Sequence, residues 1–182
     1  MSKILFASDI HGRKSRAIRL AEIIESEKPD RVYLLGDFLY NGPRNGVPED
    51  YDPMAVISDL EPYAPIILGV RGNCDSEIDL ELLPFSVEDE RLVTENGRRL
   101  HLQHGDHLER IADIEKGDFI VFGHTHRPLI EERKGVLLLN PGSTSFPKGE
   151  FPASYLIFEE NTITLKAIES GEILREIRLN TK

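Results

Sequence analysis

A chain of 182 residues is long enough for a substantial core, and we expect one domain spanning residues 1–182. Its 32 acidic against 22 basic residues give a formal charge of -10, which makes extended nucleic acid an unfavourable partner but still allows a small phosphorylated one where bound cations reverse the local field. The single cysteine, Cys74, cannot close an internal disulfide, and neither a membrane-length apolar run nor a signal-peptide pattern is present, so a cytoplasmic protein with no membrane contact is expected.

Ile4 to Ala7 is a continuous apolar run, the pattern of a strand covered on both faces, and it ends at Ser8-Asp9-Ile10-His11-Gly12. Ser15 then offers a cap for a helix beginning near Arg16, in which Ile18, Ala21 and Ile24 recur at helical spacing before Pro29 stops it. Val32 to Leu35 completes a βαβ unit and delivers Gly36-Asp37. The stretch Asn41 to Pro48, with Gly-Pro and Asn-Gly pairs, predicts an ordered excursion from which Arg44 and Asn45 can project toward an anion.

Asp52-Pro53 has the form of an N-cap and first helical residue, and Pro62 ends or kinks that helix. Ile66 to Val70 forms the next strand and leads into Gly72-Asn73-Cys74-Asp75; Leu80 to Leu83 is a short helix or turn closed by Pro84. Asn96-Gly97 predicts a hairpin whose second strand delivers His104-Gly105-Asp106, followed by a short helix over His107 to Glu115. Phe119 to Phe122 precedes Gly123-His124-Thr125-His126, and Val136 to Leu139 precedes Asn140-Pro141-Gly142-Ser143. Three antiparallel strands close the chain, within 155–158, 162–168 and 173–179. This order fits two packed sheets with flanking helices better than one parallel sheet.

Polar residues thus recur at strand ends: Asp9, His11, Asp37, Asn73, His104, His124 and His126. Singly, each has a plain structural reading, Asp9-x-His11 as a capping pair, Asp37 or Asn73 as turn residues, and His104 as a hydrogen-bonded strand histidine. Together, two aspartates, one asparagine and four histidines form the oxygen and nitrogen set suited to catalytic transition metals, with Asp37 expected between two divalent ions. His101 and His107 have no comparable claim.

The ordered set Asp9-x-His11, Gly36-Asp37, Gly72-Asn73-Cys74-Asp75, His104-Gly105 and Gly123-His124-Thr125-His126 resembles the calcineurin-like metallophosphoesterase family over essentially the whole chain. The resemblance implies an α/β fold, a four-layer α-β-β-α sandwich in which two packed mixed β-sheets are flanked by helices. It assigns one ion to Asp9, His11, Asp37 and His126 and the other to Asp37, Asn73, His104 and His124. The ions would lie about 3.5 to 4 Å apart and activate a bridging water for attack on phosphorus. Manganese is the implied metal, while the ligands also permit iron, zinc, nickel or cobalt.

Cys74 departs from the family, many of whose members place a histidine there that can protonate the departing oxygen. A thiol is the weaker donor, so a small phosphodiester with a stable leaving group is the expected substrate. Asp37, Asn73, Cys74, Asp75 and His104 are the residues expected to serve catalysis. Arg44, Asn45, Ser143 and Lys148 are expected on the substrate perimeter. The alternative is a non-catalytic interaction scaffold on the same fold, and exposed apolar faces leave room for a homo-oligomer.

Overall fold

The computed structural model describes residues 1–180. The first strand, β1 (Lys3–Ala7), shows why its apolar run is unbroken: Ile4, Leu5, Phe6 and Ala7 are all fully buried. Leu5 and Ala7 face one core, Ile4 and Phe6 another. The same alternation holds in β2 (Arg31–Leu34), where Val32 and Leu34 join the first core and Tyr33 the second. Strands sandwiched between two apolar layers have no polar face to display.

β1 and β2 run parallel to β3 (Ile67–Val70) and to a short β4 (Ser86–Glu88). On the other side of β1 the chain adds three antiparallel strands, β10 (Ser154–Glu159), β11 (Thr162–Ala167) and β12 (Ile173–Arg178). The resulting seven-stranded sheet has the order β12-β11-β10-β1-β2-β3-β4. A five-stranded sheet contains β5 (Glu90–Glu95), β6 (Arg98–Gln103), β7 (Phe119–Val121), β8 (Leu129–Arg133) and β9 (Val136–Asn140) in the order β5-β6-β7-β9-β8. Its central strands β6, β7 and β9 are parallel, and both edges are antiparallel. Leu100, Leu102, Phe119, Val121 and Leu139 meet Phe6, Leu156 and Phe158 in the core between the sheets.

The three α-helices among the described residues, α1 (Lys14–Glu27), α2 (Pro53–Leu60) and α3 (Glu77–Leu82), pack on the outer face of the seven-stranded sheet. The outer face of the other sheet carries no α-helix among the described residues, because the helix expected over His107 to Glu115 shrinks to one 3-10 turn, Leu108–Arg110. A helix that short is marginal unless it buries an apolar stripe, and Ile114 here stays 40% exposed. The Asp118 carboxylate instead takes the Glu115 N–H at 2.9 Å, and Arg99 donates to the Asp113 carbonyl at 2.9 Å, so the segment is held in irregular form.

The start of α1 also differs from expectation. Its N-cap is Arg13, whose side chain makes no capping bond, and Ser15 lies inside the helix. The cap comes from elsewhere in the chain: Asp50 accepts from the Ser15 N–H and hydroxyl, while the Asp50 carbonyl accepts from Lys14 N–H at 3.0 Å. Asp52 caps α2 as its sequence indicates, accepting from Ala55 N–H at 3.0 Å, with Pro53 in the first turn. Asn96 and Gly97 both take positive φ, 47° and 73°, as a two-residue hairpin turn between β5 and β6 requires. β4 and β8 have no clear strand pattern in the sequence; β8 is an edge strand rich in charge, Glu131-Glu132-Arg133, with Ile130 its one buried residue and so no apolar alternation to read.

At the end of α1, Glu27 gathers Lys3 at 2.8 Å, Tyr155 at 3.0 Å and Lys166, tying the helix to β1, β10 and β11. Burial raises its carboxyl pKa, but the bonds from Lys166, Lys3 and Tyr155 outweigh that and hold it at about 2, below the usual 4.5. A depressed folded-state pKa stabilises the fold above the unfolded value, and that contribution is lost as pH falls from 4.5 through about 2. Glu27→Gln should therefore cost about 1–2 kcal/mol near neutral pH. It should also flatten the acid limb of a melting-temperature profile below pH 4.5; an unchanged acid limb would show that Glu27 is not the linking group.

Candidate metal centre

The parallel strands of both sheets point their carboxyl ends toward one edge of the sandwich, the position where open α/β sheets place ligands. The loop after β1 brings Asp9 and His11, that after β2 brings Asp37, and that after β3 brings Asn73. From the second sheet, β6 supplies His104 and β7 supplies His124 and His126. Five of these seven, Asp9, His11, Asp37, His124 and His126, have left-handed φ between 53° and 61°. That conformation costs a non-glycine residue on the order of 1–3 kcal/mol and persists only where the surroundings enforce it. Here the loops strap each other: Asp9, His11 and Gly12 N–H groups donate to the carbonyls of Gly36, Asp37 and Phe38.

The side chains gather in two groups that share Asp37. In the first, His126 Nε2 lies 3.2 Å from Asp9 Oδ1, and His11 Nε2 lies 3.3 Å from His126 Nε2 and 3.7 Å from both Asp9 Oδ1 and Asp37 Oδ2. In the second, His104 Nε2 lies 3.4 Å from that same Asp37 oxygen, 3.1 Å from Asn73 Oδ1 and 3.3 Å from His124 Nδ1. All seven predicted ligands are thus brought together.

Proton placement shows what these groups fit. His11 Nδ1 faces the Tyr40 carbonyl at 2.9 Å, His126 Nδ1 the Phe146 carbonyl at 2.7 Å, and His104 Nδ1 the Leu35 carbonyl at 2.6 Å. A carbonyl only accepts, so each Nδ1 carries a proton, and on a neutral ring the lone pair of Nε2 is what turns inward. The 3.3 Å approach of His11 and His126 then sets lone pair against lone pair, beside a carboxylate oxygen, Asp9 Oδ1, that is buried without a hydrogen-bond partner. Such an arrangement calls for a cation. Burial holds His11 and His124 below the ordinary histidine range, which keeps them neutral as ligands must be. His104 is raised to about 9 despite burial, through Asp37, whose own carboxyl is held at about 2. Positive charge is favoured between that pair as well.

Around the ligands stands a supporting set of backbone contacts. Thr144 and Ser143 hydroxyls both donate to the Asp9 carbonyl at 3.1 Å, and the Ser145 hydroxyl donates to the Ile10 carbonyl. Ser143 is fully buried and braces this loop, which corrects its expected place on the substrate perimeter. Asp75 is corrected likewise: its carboxylate accepts from the N–H groups of Gly72, Asp37 and Phe38 at 2.7 to 2.9 Å, so it positions Asp37 and faces no reacting group. Burial, with added repulsion from Asp37, raises the Asp75 carboxyl to about 6 against those donors.

A cavity of about 390 Å³ opens over the ligands, and Arg44, Asn45, Cys74 and Lys148 line it. Asn45 donates to the Asn41 carbonyl at 2.7 Å, so its loop braces itself as the Asn-Gly composition foretold. Cys74 N–H donates to Asp37 Oδ1 at 2.8 Å, and its sulfur reaches into the cavity beside His11 and Asp37. Burial, then the charge of Asp37, pushes the thiol up to about 12, so it stays protonated. Sequence reasoning misses Arg13, which stacks 5.7 Å from the Phe146 ring, donates to the Ser145 carbonyl and pairs with Asp50, fixing the loop that orients His126. A lone arginine after a glycine gives no signal of that reach.

The model of the calcineurin-like phosphoesterase superfamily domain matches residues 2–162. The chain belongs to this superfamily. With the family comes the enzyme class, phosphoric ester hydrolase, and membership implies a divalent metal. The chain is 38% identical to phosphodiesterase YfcE of Escherichia coli strain K12 over an alignment of 185 positions, covering 99% of this chain and all of YfcE. The solved structure of the E. coli Yfce phosphoesterase superposes with a TM-score of 0.93 at 38% identity, covering 98% of this chain and 100% of that one. Zinc-complexed Vps29 of Entamoeba histolytica, at 18% identity and a TM-score of 0.65 over 98% of this chain and 99% of its own, shares the fold.

In this superfamily member the shared carboxylate is placed by a close approach of backbones. A Cβ added to Gly72 would lie 2.2 Å from Asp37 Oδ1 and 2.3 Å from Asp37 N. Gly72→Ala must therefore push Asp37 aside, and we expect the purified variant to lose most bound transition metal by elemental analysis while keeping its far-ultraviolet circular dichroism. Full metal content in that variant would show that the approach is not needed.

Proposed function

We propose that this protein hydrolyses small phosphodiesters at a centre of two divalent cations sharing Asp37. The observation that carries the reading is Asp37 Oδ2 standing 3.7 Å from His11 Nε2 and 3.4 Å from His104 Nε2, one oxygen common to two nitrogen and oxygen groups. Asp9, His11, Asp37 and His126 would hold one cation, and Asp37, Asn73, His104 and His124 the other. His124 presents Nδ1 to the second group, while its N–H reaches Asp9 Oδ2 at 3.2 Å, so this one residue spans both. We favour manganese; iron, zinc, nickel and cobalt suit the same donors. When bound, such a pair supplies a water of lowered proton affinity and neutralises charge on the phosphoryl oxygens.

The chain's own residues do the rest. Arg44 and Lys148 set positive charge along a cavity in an otherwise acidic protein, drawing a phosphate anion inward. Three backbone carbonyls fix the histidine rings, so orientation is in place before a substrate arrives. Cys74, uncharged, leaves the anion unrepelled, yet offers only a weak donor to a departing oxygen. The 38% identity with phosphodiesterase YfcE along its full length supports the diester preference and, with the single cysteine, a cytoplasmic setting. A pure scaffold gives no reason for Asp9 Oδ1 to be buried unpaired.

Asp37→Asn should lower turnover of bis(p-nitrophenyl) phosphate at least about 1,000-fold, a loss of several kcal/mol of transition-state stabilisation, and reduce metal content at both positions. Undiminished turnover with a full metal complement would refute the shared-carboxylate assignment. Cys74→His should raise hydrolysis of phosphomonoesters and of diesters with poorly stabilised leaving groups about 100-fold, while the p-nitrophenyl diester changes little. Equal effects across leaving groups of different acidity would mean that protonation at position 74 does not set substrate range.

A further inference from the structure

The cavity over the proposed metal ligands has a larger neighbour, none of whose lining residues is itself one of the ligands. This second concavity, of about 740 Å³, is walled by Phe122, Pro128, Leu129 and Phe151, with exposed Arg127 and Lys148 also lining it. Its size lies within the range of small-molecule sites, roughly 300 to 1,000 Å³. Two observations join it to the chemistry. Lys148 lines both cavities, and its N–H donates to the His126 carbonyl at 3.0 Å, so the wall between them is fastened to a metal-ligand loop. Thr125, lying between His124 and His126 in sequence, forms part of the same second cavity.

We propose that this cavity receives a flat aromatic substituent of the phosphodiester whose phosphorus sits at the metal centre. The inference rests on the phosphodiesterase reading and narrows its substrate class. A small ester such as a dialkyl phosphate would occupy the metal cavity and leave the neighbouring 740 Å³ to water. An aromatic group there meets the rings of Phe122 and Phe151 and the apolar surfaces of Pro128 and Leu129, contacts that favour a flat π-system over an alkyl chain. Two cations, Arg127 and Lys148, against one carboxylate, Glu150, suit a ligand that carries its negative charge next to its ring. Phe151 is 48% exposed, a large ring at the surface and available to a ligand.

The test compares two non-hydrolysable anions that share a head group, 1-naphthylphosphonate and methylphosphonate, titrated calorimetrically into the metal-loaded protein. Turnover of bis(p-nitrophenyl) phosphate is measured on the same preparation. We expect naphthylphosphonate to bind about tenfold more tightly than methylphosphonate. Phe151→Ala and Leu129→Asp should each reduce that ratio to about threefold or less, with methylphosphonate affinity held within about twofold. Two variants are used because a charge in the wall and a lost ring disturb folding differently. Turnover accompanied by equal phosphonate affinities, or by a naphthyl preference that survives both substitutions, overturns the aromatic pocket alone. Absence of turnover in the metal-loaded wild type overturns the phosphodiesterase reading and this one with it.

Discussion

Asp37 is the constraint on which the rest of the structure turns. A carboxylate 2% exposed, with other acceptors on both sides of it, is stable only if donors and positive charge are brought to it. Cys74 N–H takes one of its oxygens, while the other is left to His11 and His104. Its own backbone is gripped by Asp75, and Gly72 has no Cβ because one would occupy the carboxylate's position. Loops from two sheets are therefore arranged around a single side chain, and every one of them comes from the carboxyl end of a parallel strand.

Left-handed residues recur here for a related reason. Asp9, His11, Asp37, His124 and His126 each turn the chain sharply so that a short loop can present its side chain to a common point while its N–H groups bond to neighbouring loops. Asp and His tolerate this backbone better than β-branched residues do. The strain is held by buttresses away from the ligands, namely Ser143, Thr144 and Ser145 behind the Asp9 loop and Arg13 behind Phe146. The orientation of the clustered side chains is thus set from behind, by buried and half-buried residues outside the cluster, a common requirement where rings must stay oriented.

The lopsided helical layer follows from where apolar surface remains. α1, α2 and α3 cover Leu5, Val32 and Ile67 on one side of the sandwich. On the opposite side β6 turns Arg99, His101 and Gln103 outward, and the His101–Asp118 pair at 3.0 Å satisfies the buried histidine. That face is polar rather than apolar, with Arg99 Nε and Gln103 Oε1 buried without a partner, so a covering helix would find no apolar stripe to bury there, and the connection between β6 and β7 is irregular.

Sequence alone determined the strands that are buried on both faces, because a short uninterrupted apolar run leaves no polar side to turn toward water, and it determined the chemical kinds gathered at their ends. The Asn96-Gly97 turn and the Asp52-Pro53 helix start were legible too, since both depend on local backbone preference. Charged edge strand β8, the Asp50 cap on α1 and the collapse of the 107–115 helix were decided by contacts distant in the chain, to which local pattern is blind. The same holds within the site. Ser143 and Asp75 carry the right chemistry for a perimeter or catalytic role, and only packing shows that their oxygens are committed to backbone. Which nitrogen of His11, His104 and His126 faces inward was likewise a tertiary matter, since it is set by the carbonyls of Tyr40, Leu35 and Phe146, and a carbonyl has no signature in sequence.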